Sequence, residues 1–463
     1  MSVIIALAAL FVLMIAAYRG YSVILVAPLL ALAAVFLTDP SAVAPAFTNL
    51  FMEKMVGFIK LYFPVFLLGA IFGKLIELSG FSKAIVATII KLLGEKRAIP
   101  VIITICALLT YGGVSLFVVV FAVYPFAAEM FRQSNIPKRL MPATIALGAF
   151  TFTMDAMPGS PQIQNIIPTT FFSTNSWAAP TLGIIGSLFI VTTGILYLEN
   201  RRKKAQRDGE GYGDQLKNEP QTPENIKLAH PFIALLPLLL VGIVNLALTH
   251  FIPQWYPAIF DLHLAGMKDA VPVEIKKITA IWAVLGALCS GILCIFIFSY
   301  KTIFKEFTEG TKTAIGGAML AAMNTGSEYG FGAIIAALPG FVVVANSLHG
   351  IQNPLINEAI TINILAGITG SSSGGMSIAL GAMADQFIAT ATAANIPFEV
   401  LHRVASMAAG GMDTLPHNGA IITLLTVTGL THRQAYKYIF GITFIKVAAA
   451  FVIIAVYYTT GLV

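Results

Sequence analysis

The chain has 463 residues and a net charge of +6; 57% of its residues are hydrophobic, only 11% are charged, and its mean hydropathy is +0.84. A soluble domain carries roughly 25% charged residues, and no single water-facing core could bury this much apolar surface, so lipid must solvate much of the molecule. The positive charge does not point to nucleic acid, because the basic residues sit in short clusters between apolar runs, as at Arg201, Arg202, Lys203 and Lys204, the pattern of cytoplasmic loops.

A membrane span takes about 20 apolar residues. Candidate runs lie near 2–18, 21–37, 57–78, 100–131, 140–172, 177–198, 231–250, 276–299, 315–345, 358–394, 401–430 and 436–459. Several are too long for one straight span, and many are interrupted by Gly, Pro or polar clusters. The expected fold is therefore an all-α polytopic membrane protein of about 10–12 crossings plus re-entrant hairpins and broken helices. Residues 2–18 lack a basic leader and run straight into another apolar stretch, so they are expected to be a first span and not a cleaved signal. The long hydrophilic stretch 199–229 is expected to be a cytoplasmic linker between a first transmembrane repeat, 1–198, and a second, 230–463. The polar stretch 252–275 carries Trp255 and Tyr256, which suit a membrane interface. Cys106, Cys289 and Cys294 lie in apolar runs without His at metal-ligand spacing, so they are taken as small membrane-core residues. No His-Glu-x-x-His segment and no nucleotide loop is present, so neither a metal nor another cofactor is expected, and an ATP-driven pump is disfavoured.

Internal echoes organise the rest. Met154-Asp155-Ala156-Met157-Pro158 recurs as Met412-Asp413-Thr414-Leu415-Pro416, Asn135-Ile136-Pro137 as Asn395-Ile396-Pro397, and Ser79-Gly80-Phe81 more weakly as Tyr329-Gly330-Phe331. The echoes keep their order and nearly their spacing, which implies a duplicated chain. If the first half ends inside and the second outside, the halves form an inverted repeat, the plan of many secondary transporters.

In such carriers the substrate lies near the midplane, where paired helices break. A break frees backbone groups that lipid cannot satisfy, and half-helix N-termini then attract an anion. The first expected break is Asp155, Pro158, Gly159, Ser160, Pro161 and Gln162, where two prolines and a glycine stop a helix. The second is Asp413, Pro416, His417, Asn418 and Gly419. A further pair is Tyr111, Gly112, Gly113 and Ser115, with Gly370, Ser371, Ser372, Ser373 and Gly374. Small residues there serve either close helix packing or a ligand; three serines in a row suit carboxylate and hydroxyl groups. Asn324-Thr325-Gly326-Ser327-Glu328 interrupts another apolar run and is either substrate-lining or the end of a scaffold hairpin. Ionisable residues inside a membrane are costly and often functional. Asp155, Asp413, Glu328 and His417, with Asp385, are thus the candidates for coupling. Either aspartate can alternatively cap a half-helix, and His417 can bind substrate without changing charge.

At these residues the chain resembles the GntP (gluconate permease) family of the ion-transporter superfamily. The similarity rests on Gly69-Ala70-Ile71-Phe72-Gly73-Lys74 with Ser79-Gly80, on Pro158-Gly159-Ser160-Pro161, on Gly370-Ser371 and on His417-Asn418. The resemblance implies a multi-pass protein of the cell (inner) membrane that imports sugar acids or other small hydroxycarboxylates with protons. It also implies a homodimer with scaffold and transport domains and hairpins that move as an elevator. Two departures bear on the cargo. Gly112 stands where gluconate-type members carry an acidic residue, and Asp155-Ala156-Met157-Pro158 replaces their polyproline-histidine segment. These point away from gluconate and toward a smaller hydroxy acid, as in a 3-hydroxybutyrate permease-like branch. Sodium coupling is the nearest alternative, since freed carbonyls with Ser, Thr and Asn side chains can ligate sodium. An intramembrane hydrolase built on Ser115 or on Asp155 with Asp413 is the reading from another class, and a channel is a further one.

Overall fold

The computed structural model describes residues 2–19, 21–94, 97–114, 116–213, 217–220, 229–340, 343, 351–416 and 418–463. The chain is an all-α polytopic membrane protein, with one small β-hairpin among the described residues. Two short apolar helices open it, α1 (Ser2–Tyr18) and α2 (Val23–Thr38). The long α3 (Pro40–Leu78) follows and contains a π-turn over Phe47–Phe51. Then come α4 (Phe81–Leu93), α5 (Ala98–Tyr111), α6 (Leu116–Gln133), α7 (Met141–Ala149), α8 (Ile163–Phe172) and α9 (Pro180–Arg207). The hydrophilic stretch that starts at residue 199 thus begins inside α9.

The second half holds α10 (Pro231–Trp255), the hairpin β1 (Ile259–Leu262) and β2 (Val271–Glu274), α11 (Ile275–Ile303) and α12 (Phe307–Ala337). It ends with α13 (Pro354–Thr369), α14 (Ser372–Ala393), α15 (Phe398–Gly410), α16 (Gly419–Thr428) and α17 (His432–Thr460). The run Asn324–Glu328 does not interrupt anything: α12 passes through it as one helix. Gly326 and Gly330 let α12 close onto Met55, Ile59 and Phe51 of α3, so the small residues serve packing.

Two of the three sequence echoes mark a shared order of elements; the third does not, because Gly80 precedes α4 at a positive φ while Gly330 lies inside α12. The series α5, tip, α6, Asn135, α7, break, α8, α9 is matched by α13, tip, α14, Asn395, α15, break, α16, α17. Asn135 and Asn395 both take left-handed φ, at 48° and 54°. Asparagine tolerates that conformation, and the proline two residues on cannot continue the preceding helix. Asn-Ile-Pro is therefore a stop followed by a restart, used once in each series.

Among the described residues five helices, α3, α9, α10, α11 and α17, are long and apolar enough to cross a membrane. The shortest of them, α10, has 25 residues, and at about 1.5 Å per residue it exceeds a hydrocarbon core of about 30 Å. Large side chains such as Leu25, Leu29, Phe232, Ile243, Leu293, Ile297 and Phe444 are exposed on α2, α10, α11 and α17. Such an apolar belt is stable against lipid and not against water. The helix pairs α3–α12 and α10–α11 pack together as one layer, while α8, α13, α14, α15 and α17 enclose the two breaks.

Candidate functional site

The first break begins where α7 stops at Ala149. One helical turn, Phe152–Asp155, interrupts the irregular stretch that leads to α8. Ending α7 frees the carbonyl of Phe150, and Lys446 from α17 satisfies it, with Nζ donating at 2.6 Å. The same ammonium lies 3.4 Å from Asp155 Oδ2, and both side chains are 1% exposed. Neither Asp155 oxygen accepts a hydrogen bond among the described residues, so Asp155 is not a helix cap. Its carboxylate packs on Gly410 of α15, where any Cβ would overlap Oδ2.

The second break is tied to the first. Asp413 Oδ1 accepts the Ser372 amide at 3.3 Å, at the N-terminus of α14. Its Oδ2 accepts from Gln164 Nε2 at 3.2 Å, and the same amide reaches Ser372 Oγ at 3.1 Å. Asp413 therefore closes the start of α14, where the macrodipole favours a negative charge. Ser406 Oγ from α15 sits 2.8 Å from Asp155 O and 3.0 Å from Gln164 O.

Arg403, also on α15, is fully buried. It donates to Ala178 O through Nε and Nη2, to Asp155 O at 3.1 Å and to Asn165 Oδ1 at 3.0 Å. A buried guanidinium is tolerable only when its donors are met; here Ala178 O, between α8 and α9, and Asp155 O of the first break meet most of them. Beside it, His402 shares hydrogen bonds with Thr174 Oγ1 at 2.7 Å and Asn165 Oδ1 at 3.2 Å. One face of α15 thus binds the first break through side chains, and Gly410 at its end lets Asp155 approach.

Each hairpin tip is laced to the break of its own half. Gln162 Nε2 donates to Thr110 O at 2.7 Å, and Tyr111 Oη donates to Pro158 O at 2.8 Å. In the second half Asn418 Nδ2 donates to Gly370 O at 2.9 Å. Two side chains from the outer layer also reach in. Asn245 of α10 accepts from Ser176 Oγ and Trp177 Nε1, each at 3.0 Å. Tyr62 of α3 pairs with Thr170 Oγ1 at 2.5 Å.

The residues expected from sequence divide as follows. Gly112 and Gly113 end α5 beneath Leu238 and Pro161, Gly113 with φ 95°. Gly159, at φ 78°, packs against Trp177, where a Cβ would clash. Ser160 Oγ donates to Thr153 O at 2.6 Å and so holds the turn itself. Ser371 caps α14 by accepting from Gly374 N at 3.0 Å, and Ser373 Oγ lies 3.4 Å from Thr325 Oγ1. Asn418 caps α16 through Ala420 N at 2.8 Å. Glu328 is buried on α12, and its Oε2 fills the space over Gly374. Asp385 is exposed on α14. Ser115 and His417 lie outside the described residues. Sequence reasoning missed Lys446, Arg403, His402, Gln164 and the fully buried Glu358. The signal available for Lys446 was a lone cation in the middle of an apolar helix.

Among the described residues no group of three His, Cys, Asp or Glu is placed to hold a metal. Two open cavities, of about 750 and 300 Å³, sit away from the breaks, at a polar edge lined by Arg97, Gln133 and Arg202 in one case and by Arg139, Lys204 and Lys437 in the other.

No family model matches the chain. It is 58% identical over 472 residues to the uncharacterized transporter YxjC of Bacillus subtilis (strain 168), and the alignment spans 100% of both chains. The chain belongs to that transporter family. In fold it is similar to the YdaH transporter of Alcanivorax borkumensis, whose crystal structure is described as having an unusual topology. The TM-score is 0.53, and 91% of this chain and 90% of that one are covered. At 13% identity that likeness concerns the fold alone. Transport across a membrane by a multi-pass protein is thus the function class, while the GntP family specifically gains no support from these relatives.

Proposed function

We propose that the chain is a secondary active carrier of the cell (inner) membrane that imports a small hydroxycarboxylate together with protons, in the manner of a GntP-type permease. The observation that carries this reading is the convergence of two breaks and two hairpin tips, from both halves, on one buried cluster: Asp155, Asp413, Lys446 and Arg403. Buried ionisable groups at helix breaks are where carriers hold substrate and coupling ion. The hydroxyls of Ser371, Ser372 and Ser373, at the start of α14, suit the substrate's carboxylate. Gln164 Oε1, which has no hydrogen-bond partner among the described residues, suits its hydroxyl as acceptor, and the second amide hydrogen of Asn418 suits it as donor. Asp155, Asp413 and Glu328 are the groups to carry the proton. The linker 199–229 separates the repeats 1–198 and 230–463, and the outer layer of α3, α10, α11 and α12 is the surface on which two copies would pair. 3-Hydroxybutyrate is the first cargo to test.

A panel of carboxylates in a thermal-shift assay tests the reading, because a ligand that binds only the folded state stabilises it, by about 2.7 kcal/mol at a hundredfold excess over Kd. 3-Hydroxybutyrate is expected to raise the unfolding temperature more than gluconate, and Gln164→Ala to remove the shift. A panel with no stabilising carboxylate, at pH 5.5 or 7.5 and with or without sodium, would count against it.

A further inference from the structure

The four charges of the cluster are not equally committed. Arg403 spends its donors on Ala178 O, Asp155 O and Asn165 Oδ1, and Asp413 is held by Ser372 N and Gln164 Nε2. Among the described residues Lys446 makes one hydrogen bond, to Phe150 O, and meets Asp155 only across 3.4 Å. An ammonium has three donors, so two of them are open to another acceptor. Asp155 likewise has no hydrogen bond on either carboxylate oxygen among the described residues. The Asp155–Lys446 pair is therefore the loosest link in the cluster, and it lies at the break itself.

Resting on the carrier reading above, we infer that Lys446 is a counter-ion shared between Asp155 and the substrate's carboxylate, so that one proton enters with each monocarboxylate and no net charge moves. In the empty site Lys446 neutralises Asp155. When substrate arrives, a proton from the aqueous side binds an Asp155 carboxylate oxygen to give the neutral acid, and the substrate's carboxylate takes over the ammonium. On the far side the proton leaves Asp155, which reclaims Lys446 as the substrate departs. Charge is conserved at each stage: a carboxylate faces Lys446 throughout, because a buried ammonium left unpaired is strongly disfavoured. The other charged groups facing the pair are Asp413 from the second break and Arg403 from α15. His402 on α15 and Tyr111 on α5 stand near Arg403. Two carboxylates and two cations leave the cluster neutral, Arg403 facing Asp155 and Asp413 facing Lys446, and Asp413 and Arg403 stay tied to their hydrogen bonds. Lys446 also accounts for a preference between coupling ions: its ammonium already holds the freed Phe150 carbonyl and the Asp155 carboxylate, the oxygens a sodium ion would use.

The test uses the full chain in proteoliposomes with radiolabelled 3-hydroxybutyrate. Counterflow against trapped unlabelled substrate, with no ion gradient, reads the carrier activity alone. Uptake driven by an inward proton gradient is then measured with potassium–valinomycin potentials of either sign. The wild type is expected to exchange, to accumulate under the pH gradient and to ignore the potential. In Asp155→Asn exchange continues at an altered rate, but the pH gradient no longer drives accumulation above the exchange level. Lys446→Met should raise the apparent KM about tenfold or more, the loss of a charged hydrogen bond, and Lys446→Arg should recover part of that loss. Uptake that follows the potential, accumulation by Asp155→Asn equal to wild type, or an unchanged KM in Lys446→Met would each overturn the inference while leaving the carrier reading standing. No counterflow by the wild type with any hydroxycarboxylate would remove the carrier reading and this inference with it. Should Lys446→Met fail to fold, the effect of the potential on the wild type decides the matter by itself.

Discussion

Gly410 has no side chain because Asp155 fills the place where one would stand. Gly410→Ala must push the carboxylate off Lys446 or bend α15, and overpacking of this kind costs about 1–3 kcal/mol. Purified Gly410→Ala should unfold at a lower temperature than wild type, and placing it in an Asp155→Ala background should recover most of the loss. Equal loss in both backgrounds would show that the contact with Asp155 is not the cause. Asp155 and Asp413 were legible in the sequence because prolines and glycines surround them inside apolar runs, which no continuous helix accommodates. Lys446 and Arg403 were not. Each is a cation within a regular helix, where a snorkelling interfacial residue gives the same pattern. Only the packing of α15 and α17 onto the first break brings them to Asp155.

At the scale of elements, the repeated Asn-Ile-Pro was informative because it encodes a backbone event, a left-handed stop before a new helix. Asn324–Glu328 was ambiguous in the sequence because small residues serve both ligand-lining segments and close helix packing; the structure shows one continuous helix there, with Gly326 and Gly330 packed on α3. The region following α9 shows a further kind of contact. Arg139 is hydrogen-bonded to both oxygens of Glu210, and Lys138 donates to Glu219 Oε1 at 2.6 Å. The Arg139 hydrogen bond holds the Glu210 carboxyl below the ordinary 4.5. A lowered value means that this contact contributes above the unfolded group's pKa and is lost as pH falls through the lowered folded one. Limited proteolysis within 208–220 should therefore be slow at pH 7 and quicken below about pH 4.5. Glu210→Gln should be cut faster than wild type already at pH 7; identical rates at that pH would mean that the ion pair does not anchor the segment.

Across the whole molecule, composition required a membrane protein and the echoes required two related series of elements. The structure places both breaks against one another, with Gln164 from the first series bonded to Ser372 and Asp413 of the second. No single span could have revealed that contact, since the residues lie more than two hundred positions apart. It makes the proposed site depend on both series of elements at once, as a carrier that exposes one site alternately to two sides requires. The most direct test is uptake of radiolabelled 3-hydroxybutyrate by proteoliposomes under an inward proton gradient. Saturable accumulation that a protonophore abolishes is the expected result. Absence of uptake of this or any small carboxylate, under either a proton or a sodium gradient, would contradict it.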